Sequence, residues 1–282
     1  MSTYSPERLP SNLNEAYKSI GASGSPGAPG SFSNLKSVIF AGEGGEHCSS
    51  DENSTFSDKL SISAWVKVDS WDASYRDIVA QRDPSGENTV FMLQRSTVQE
   101  GSFRIYLGTD SSPPQQGCRI VAIANGSDTG ITSGSWAHIM VTYDQSAGAN
   151  ATDQVKFYAN AVPIEINVSM TSNLHLSLPN NSLPFLIGGV SSGTDGGGVQ
   201  SQEFGGNIKD VSLFTTTLSE TDIARIYNEG TPGDLTSEDG LFAWWRMGDG
   251  TGDSHPTISD QIGSLDLTMN NMESGAIVED SP

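Results

Sequence analysis

The sequence predicts an all-β, antiparallel two-sheet sandwich with one short helix near its C-terminal side, and three observations carry that prediction. Leu60, Ile62, Ala64, Val66 and Val68 alternate with Ser61, Ser63, Trp65 and Lys67, the period of two expected of a strand with one buried face. The alternation returns over 136–143. Glycine is abundant at 31 residues while charged residues make up only 17% of the chain, a composition that suits many strands joined by tight turns. At 282 residues the chain is long enough for one such domain with an ample core.

Residues 1–34 read as an arm outside the sandwich. A weak helix is expected over 12–20, with Leu13, Ala16 and Tyr17 on one side. Glycine then recurs at every third position from Gly21 to Gly30. So short a run of collagen-like triplets cannot hold a triple helix alone, so a flexible linker is expected there.

The sandwich, expected over 35–272, opens with a strand at 37–40 and a Gly-rich turn at 41–45. The strand at 60–68 leads into a loop over 69–77 that carries Trp71 and Tyr75. Runs of strand type follow at 90–94, 102–108 and 119–124, with a Pro-containing loop over 111–116. Residues 155–160 and 162–168 read as a hairpin, and Asn180-Asn181 as a turn. A Gly-rich loop at 191–202 holds Asp195; it has no lysine and no strand-to-helix setting, which excludes a phosphate-binding loop.

The stretch 204–230 is the most informative. Ile208, Val211, Leu213 and Phe214 make a strand, with Lys209 and Asp210 expected to face solvent. Ser219 and Asp222 form a capping-box-like start, Ile223, Ile226 and Tyr227 share a helical stripe, and Gly230 with Pro232 marks the stop. A closing strand begins at Leu241, another run at 265–269 is expected at the edge beside the first strand, and 273–282 is expected to be an exposed acidic tail.

Five segments arrive in an order that resembles laminin-G-like and pentraxin-like domains of the concanavalin-A-like jelly-roll superfamily. They are Leu60-Ser-Ile-Ser-Ala-Trp-Val-Lys67, Ser135-Trp-Ala-His-Ile-Met-Val-Thr-Tyr-Asp144, Val155-Lys-Phe-Tyr-Ala-Asn160, Phe185-Leu-Ile-Gly-Gly189, and the strand-turn-helix at 204–230. The resemblance implies a jelly roll. It also implies calcium, with Asp249, Asp253 and Asp260 as the candidate ligands carried over by position. Two departures count against that set: Ala41 stands where the family often has Asp, and Gln261-Ile-Gly replaces its usual glycine pattern. The alternative is that these aspartates cap turns.

The formal net charge of −20, from 34 acidic and 14 basic residues, excludes a nucleic-acid partner, which needs a basic patch. No run is long and apolar enough to span a bilayer, so no membrane insertion is expected, and the first residues lack the apolar core of a signal peptide. Cys48 and Cys118 are candidates for one disulfide, though spacing does not say whether they approach. His47, His138, His175 and His255 show no metal-ligand spacing, which excludes zinc.

Candidate ligand contacts are Trp71, Asp72 and Tyr75, where a sugar ring can stack on an aromatic while carboxylates hold its hydroxyls, and Asp195 on the exposed loop. The competing reading of Trp71 is a cap over the sandwich edge. Catalysis is not expected. The string closest to a hydrolase's strand of alternating acids, Glu220-Thr-Asp222, lies on the helix, and there is no Gly-x-Ser-x-Gly elbow.

The expected role is a non-catalytic virion component, such as a phage decoration or fibre protein. It would be anchored to a capsid or tail through 1–34, would display a lectin-like jelly roll toward cell-surface glycans, and could be homo-oligomeric. The alternatives are a soluble calcium-dependent lectin or adhesion module, exported by a signal-independent route, and a glycoside hydrolase of the same fold.

Overall fold

The structure, a computed structural model, describes residues 34–53, 58–72, 74–82, 89–97, 99–108, 120–171, 183–189 and 202–282, together with Phe32, Phe56, Leu178 and Pro179. The chain separates into two units, Met1–Phe32 and Ser33–Pro282. The expected arm helix and linker, Asp195 and Cys118 lie outside the described residues.

Numbered in chain order, one sheet holds β1 (Ser37–Ala41), β3 (Lys59–Val68), β8 (Trp136–Asp144), β9 (Val155–Ala159), β10 (Val162–Ile164), β13 (Gly205–Phe214), β14 (Leu241–Trp245) and β17 (Ile277–Val278). The other holds β2 (His47–Asn53), β4 (Arg76–Arg82), β5 (Thr89–Arg95), β6 (Phe103–Leu107), β7 (Ile120–Ala124), β11 (Ile166–Thr171), β12 (Pro184–Ile187), β15 (Thr257–Ile258) and β16 (Leu267–Asn270). The helices are α1 (Gly126–Thr129), α2 (Ala151–Gln154) and α3 (Glu220–Tyr227). Among the described residues the first sheet runs β10-β9-β8-β3-β13-β1-β17, with β14 also on β13, and the second runs β11-β7-β6-β5-β4-β12-β2-β16-β15. All of these pairings are antiparallel, as in a jelly roll.

The inward residues of both sheets make one core that includes Phe40, Ile62, Val66, Phe91, Phe103 and Trp245. It is tight enough that Gly188, at φ +83°, leaves no room for a Cβ, which would fall 2.1 Å from the Phe40 ring.

The second face of the first sheet is covered as well, contrary to the one-sided strand expected at 60–68. Ser61, Ser63 and Trp65 are buried along with their apolar neighbours. The cover is α3. Its expected cap is present: Ser219 accepts from the Asp222 N–H while the Asp222 side chain accepts from the Ser219 N–H. The helix ends at Tyr227, short of the expected Gly230, with Asn228 in the left-handed conformation as its C-cap. Ile223 and Ile226 pack with Leu218, Leu235, Met140 and Trp244, and each fully buried side chain of this kind contributes about 1.5–3 kcal/mol. Tyr227 stacks on Trp65, ring centroids 5.7 Å apart. His138 lies beside both rings, with Nε2 2.7 Å from Ser63 Oγ.

Lys209 and Asp210, expected to face solvent, are buried. The reason is a change of strand partner. The first half of β13 pairs with β1 and its second half with β14, and the switch falls at Lys209 and Asp210, where Asp210 takes φ 45°. Lys209 Nζ fills the gap between the two partner strands. It donates to the Lys36 carbonyl and to Asp249 Oδ2. Asp210 accepts from Trp244 Nε1 at 3.1 Å.

Four further expectations are corrected. Residues 162–168 are not one hairpin arm: β10 pairs with β9, and β11 crosses to the other sheet to pair with β7. The loop at 69–77 ends early, because β4 begins at Arg76. The run at 265–269 reaches β2 rather than the first strand, which β17 takes instead. Residues 273–282 are therefore part of the sandwich; Asp280 pairs with Lys67 at 2.7 Å and accepts from Trp136 Nε1. Cys48 is a free buried thiol beside Met272, and burial pushes its pKa up.

Candidate functional site

The outward face of the second sheet carries a row of polar side chains set by strand register. Asp77 of β4 lies opposite Gln94 of β5, and Gln94 lies opposite Arg104 of β6. Cross-strand partners on one face touch, so the three form a chain of hydrogen bonds. Gln94 Nε2 donates to Asp77 Oδ1, and Arg104 Nε donates to Gln94 Oε1 at 2.6 Å. Arg82, at the far end of β4, stands 3.6 Å from Asp77 Oδ2 and donates to Gln202 Oε1 at 2.6 Å.

The row is graded from dry to wet. Asp77 and Gln94 are fully buried, whereas Arg104, Tyr106 and Tyr75 are partly exposed. Burial, the strongest influence on Asp77, pushes its pKa up; the nearby Arg82 guanidinium and the Gln94 bond oppose it. The Arg104 guanidinium lies over the Tyr75 ring, its Cζ 3.2 Å from the centroid. Tyr106 is two residues along the same strand and so on the same face as Arg104. A shallow polar surface with two tyrosines and a fixed guanidinium results.

Beside it sits the 70–76 rim. Asp72 receives Arg76 Nη2 at 2.6 Å and Arg95 Nη2 on its other oxygen, and the two guanidiniums hold its carboxyl well below the usual range despite some desolvation. Arg95 also donates to the carbonyls of Ser70 and Ser74, which ties the loop to β5. Trp71 is not an open platform. It packs edge-on against Phe103, centroids 5.5 Å apart, with Arg95 over its ring at 5.4 Å. Of the candidate ligand contacts, then, Tyr75 reaches the polar face, Asp72 holds the rim, Trp71 caps the edge, and Asp195 lies outside the described residues.

Asp249, Asp253 and Asp260 do not fit a calcium site. Calcium takes six to eight oxygens at once, but each of these carboxylates already faces N–H groups. Asp249 Oδ2 receives Lys209 Nζ and the Lys36 N–H. Asp253 receives the N–H groups of Gly248, Gly250 and Ser259. Asp260 receives those of Trp244, Ile262, Gly263 and Leu265. Asp253 and Asp260 cap turns, whereas Asp249 ties the buried Lys209 ammonium to the Lys36 backbone. Among the described residues no group of three or more His, Cys, Asp or Glu side chains could hold a metal ion, and no helix is long and apolar enough to cross a membrane.

Sequence reasoning missed Asp77, Arg82, Gln94, Arg104 and Tyr106. A signal existed for part of them: Gln94 and the pair Arg104 and Tyr106 sit at alternate positions of runs already read as strands. Asp77 and Arg82 belong to β4, whose sequence has no period of two because both of its faces are buried.

Comparison with known proteins places these observations. The family model described as the concanavalin A-like lectin/glucanases superfamily matches residues 42–224. No curated protein sequence matches the chain. Among solved structures, a Bacteroides ovatus protein provisionally described as carbohydrate-binding superposes with a TM-score of 0.57 at 19% identity, over 88% of this chain and 60% of that one. The chain thus spans about three fifths of that protein. A heptameric SAP-like pentraxin from Limulus polyphemus gives 0.53 at 14% identity, over 84% and 97%. The extracellular region of zebrafish Gpr126/Adgrg6 gives 0.51 at 13% identity, over 88% and 26%.

Proposed function

The chain belongs to the concanavalin A-like lectin/glucanases superfamily, and from that premise we propose that it is a non-catalytic glycan-binding module whose ligand lies across the outward face of β4, β5, β6 and β7. The observation that carries this reading is the partly exposed row of Tyr75, Arg104 and Tyr106 above the buried Asp77–Gln94 pair. Aromatic faces receive the C–H faces of sugar rings, and fixed polar groups at their edge receive hydroxyls. The Bacteroides structure named above supports it by fold alone.

The non-catalytic part rests on Asp77. A glycosidase needs two carboxyl groups flanking an accessible bond, and the carboxylate of this row is fully buried and tied to Gln94. Display on a virion surface, through attachment of residues 1–34 to a capsid or tail, is the setting we propose; the acidic composition and the Gly-rich 21–30 stretch support it. Fractionation of native lysate on a density gradient tests the setting, which fails if the chain appears only in soluble fractions.

Binding itself is tested on a glycan array, followed by titration of the strongest hits with the full chain and with Tyr106→Ala and Tyr75→Ala. The reading expects binding that falls by about tenfold or more in each variant, the scale of losing one stacking contact of 1–2 kcal/mol. Undiminished binding by both variants, folded by circular dichroism, would place the ligand elsewhere and overturn it.

A further inference from the structure

The glycan-binding reading leaves the kind of sugar open, and the arginines of the strands that form this face narrow it. Arg76, Arg82, Arg95 and Arg104 all lie on β4, β5 and β6, in a chain whose net charge is −20. Three of the four have carboxylate partners: Arg76 and Arg95 share Asp72, and Arg82 stands by Asp77. Arg104 has none within ion-pair distance among the described residues. Its Nε is taken by Gln94, its plane lies over Tyr75, and its two terminal amino groups have no hydrogen-bond partner among the described residues. Asp77 sits between Arg82 and Arg104, so the row carries two guanidiniums against one carboxylate.

Such a cation is unusual in its context. In a strongly acidic protein carboxylates are plentiful, yet among the described residues none is placed within ion-pair distance of this partly buried guanidinium, which desolvation already disfavours. Gln94 instead occupies the one edge that fixes its orientation. Held by a stack on one face and a hydrogen bond at Nε, the guanidinium presents its remaining N–H groups as a fork, the geometry that matches a carboxylate with two parallel hydrogen bonds. Because the side chain is already fixed, little rotamer freedom is lost on binding.

We infer that Arg104 reads the carboxylate of an acidic sugar, so that the ligand of this face is a uronate- or sialate-bearing glycan, with Tyr75 and Tyr106 flanking the ring. The inference rests on the glycan-binding reading and adds the acidic group and the residue that recognises it.

The test is calorimetric titration of the full chain with matched pairs that differ only in the acid: an oligogalacturonide against its carboxyl-reduced form, and sialyllactose against lactose. Wild type is expected to bind the acidic member of one pair at least about tenfold more tightly than its neutral partner. Arg104→Gln abolishes that preference. Arg104→Lys, which keeps the charge but loses the fork, lowers it, and serves if the glutamine variant does not fold. A neutral partner bound as tightly as the acid overturns the inference while leaving glycan binding intact. A preference that survives in Arg104→Gln removes Arg104 as its reader. Failure of both pairs, with binding to neutral array sugars, also overturns it; failure on the whole array removes the underlying reading too.

Discussion

Asp249 accepts the buried ammonium of Lys209 and the backbone N–H of Lys36 on one oxygen, Oδ2, and so closes the gap where β13 exchanges β1 for β14. Lys209 is fully buried and also stands 3.5 Å from Asp210. Removing one member of such a group strands a charge away from water, and breaking buried pairs this way costs about 3–5 kcal/mol. Asp249→Ala is therefore expected to lower the urea midpoint strongly, and Lys209→Met, which leaves the buried Asp249 carboxylate without its ammonium, to do no better. A loss below about 1 kcal/mol in both would show that the cluster does not hold the strand switch.

The same contacts predict indifference to calcium. Because Asp249, Asp253 and Asp260 face N–H donors, chelation of calcium should leave the thermal midpoint unchanged. Scanning calorimetry with EDTA and with millimolar calcium checks this; a calcium-dependent rise would mean that the turn caps reorganise around the ion.

Two buried groups under α3 and β14 titrate with opposite sign. Burial lowers the pKa of His138 to about 3, so its contribution is full above the unfolded value near 6.5 and is lost as pH falls toward 3. Burial raises that of Asp210 to about 6, so the native state takes up its proton first, and stability is gained as pH falls from 6 to 3.8. Unfolding free energies measured from pH 7 to 4 should fall more steeply in Asp210→Asn than in wild type, and less steeply in His138→Gln. Parallel curves for all three proteins would refute the assignment.

Ser219 is the N-cap of α3, and its hydroxyl accepts from the Asp222 N–H. Ser219→Ala is expected to cost about 0.5–2 kcal/mol. Hydrogen exchange should show the loss as faster exchange over 220–227, because that helix covers Trp65 and Ser63. Unchanged protection there would mean that packing alone fixes the helix.

Asp72 joins two guanidiniums to the rim loop. In Asp72→Ala, Arg76 and Arg95 keep only carbonyl partners. Limited proteolysis should then cut within 70–76 earlier than in wild type. An unchanged digestion pattern would show that the carbonyl contacts hold the loop without the carboxylate.

Local patterns reached the sequence reading wherever one residue's neighbours along the chain decide its state. The alternation in β3 and β8, the Ser219–Asp222 cap, and the segment order that marks the superfamily are of this kind. Strands rich in polar residues were not legible: β2, His-Cys-Ser-Ser-Asp-Glu-Asn, and β4, Arg-Asp-Ile-Val-Ala-Gln-Arg, lack a clean period, and in β4 both faces are buried and the polar side chains meet partners distant in sequence such as Gln94, Leu183 and Gln202. Lys209 and Asp210 look like surface residues in any local window. Only the switch of β13 between two partners, with Trp244, Lys36 and Asp249 brought from distant segments, makes their burial tolerable. The site follows the same rule. The sequence by itself determined a β-sandwich, the short capped helix near its C-terminal side and Tyr75 as a residue to watch. The tertiary structure alone decided that Asp77, Gln94 and Arg104 stand in one row, because hydrogen-bond register across three strands, and not spacing along the chain, sets which side chains meet.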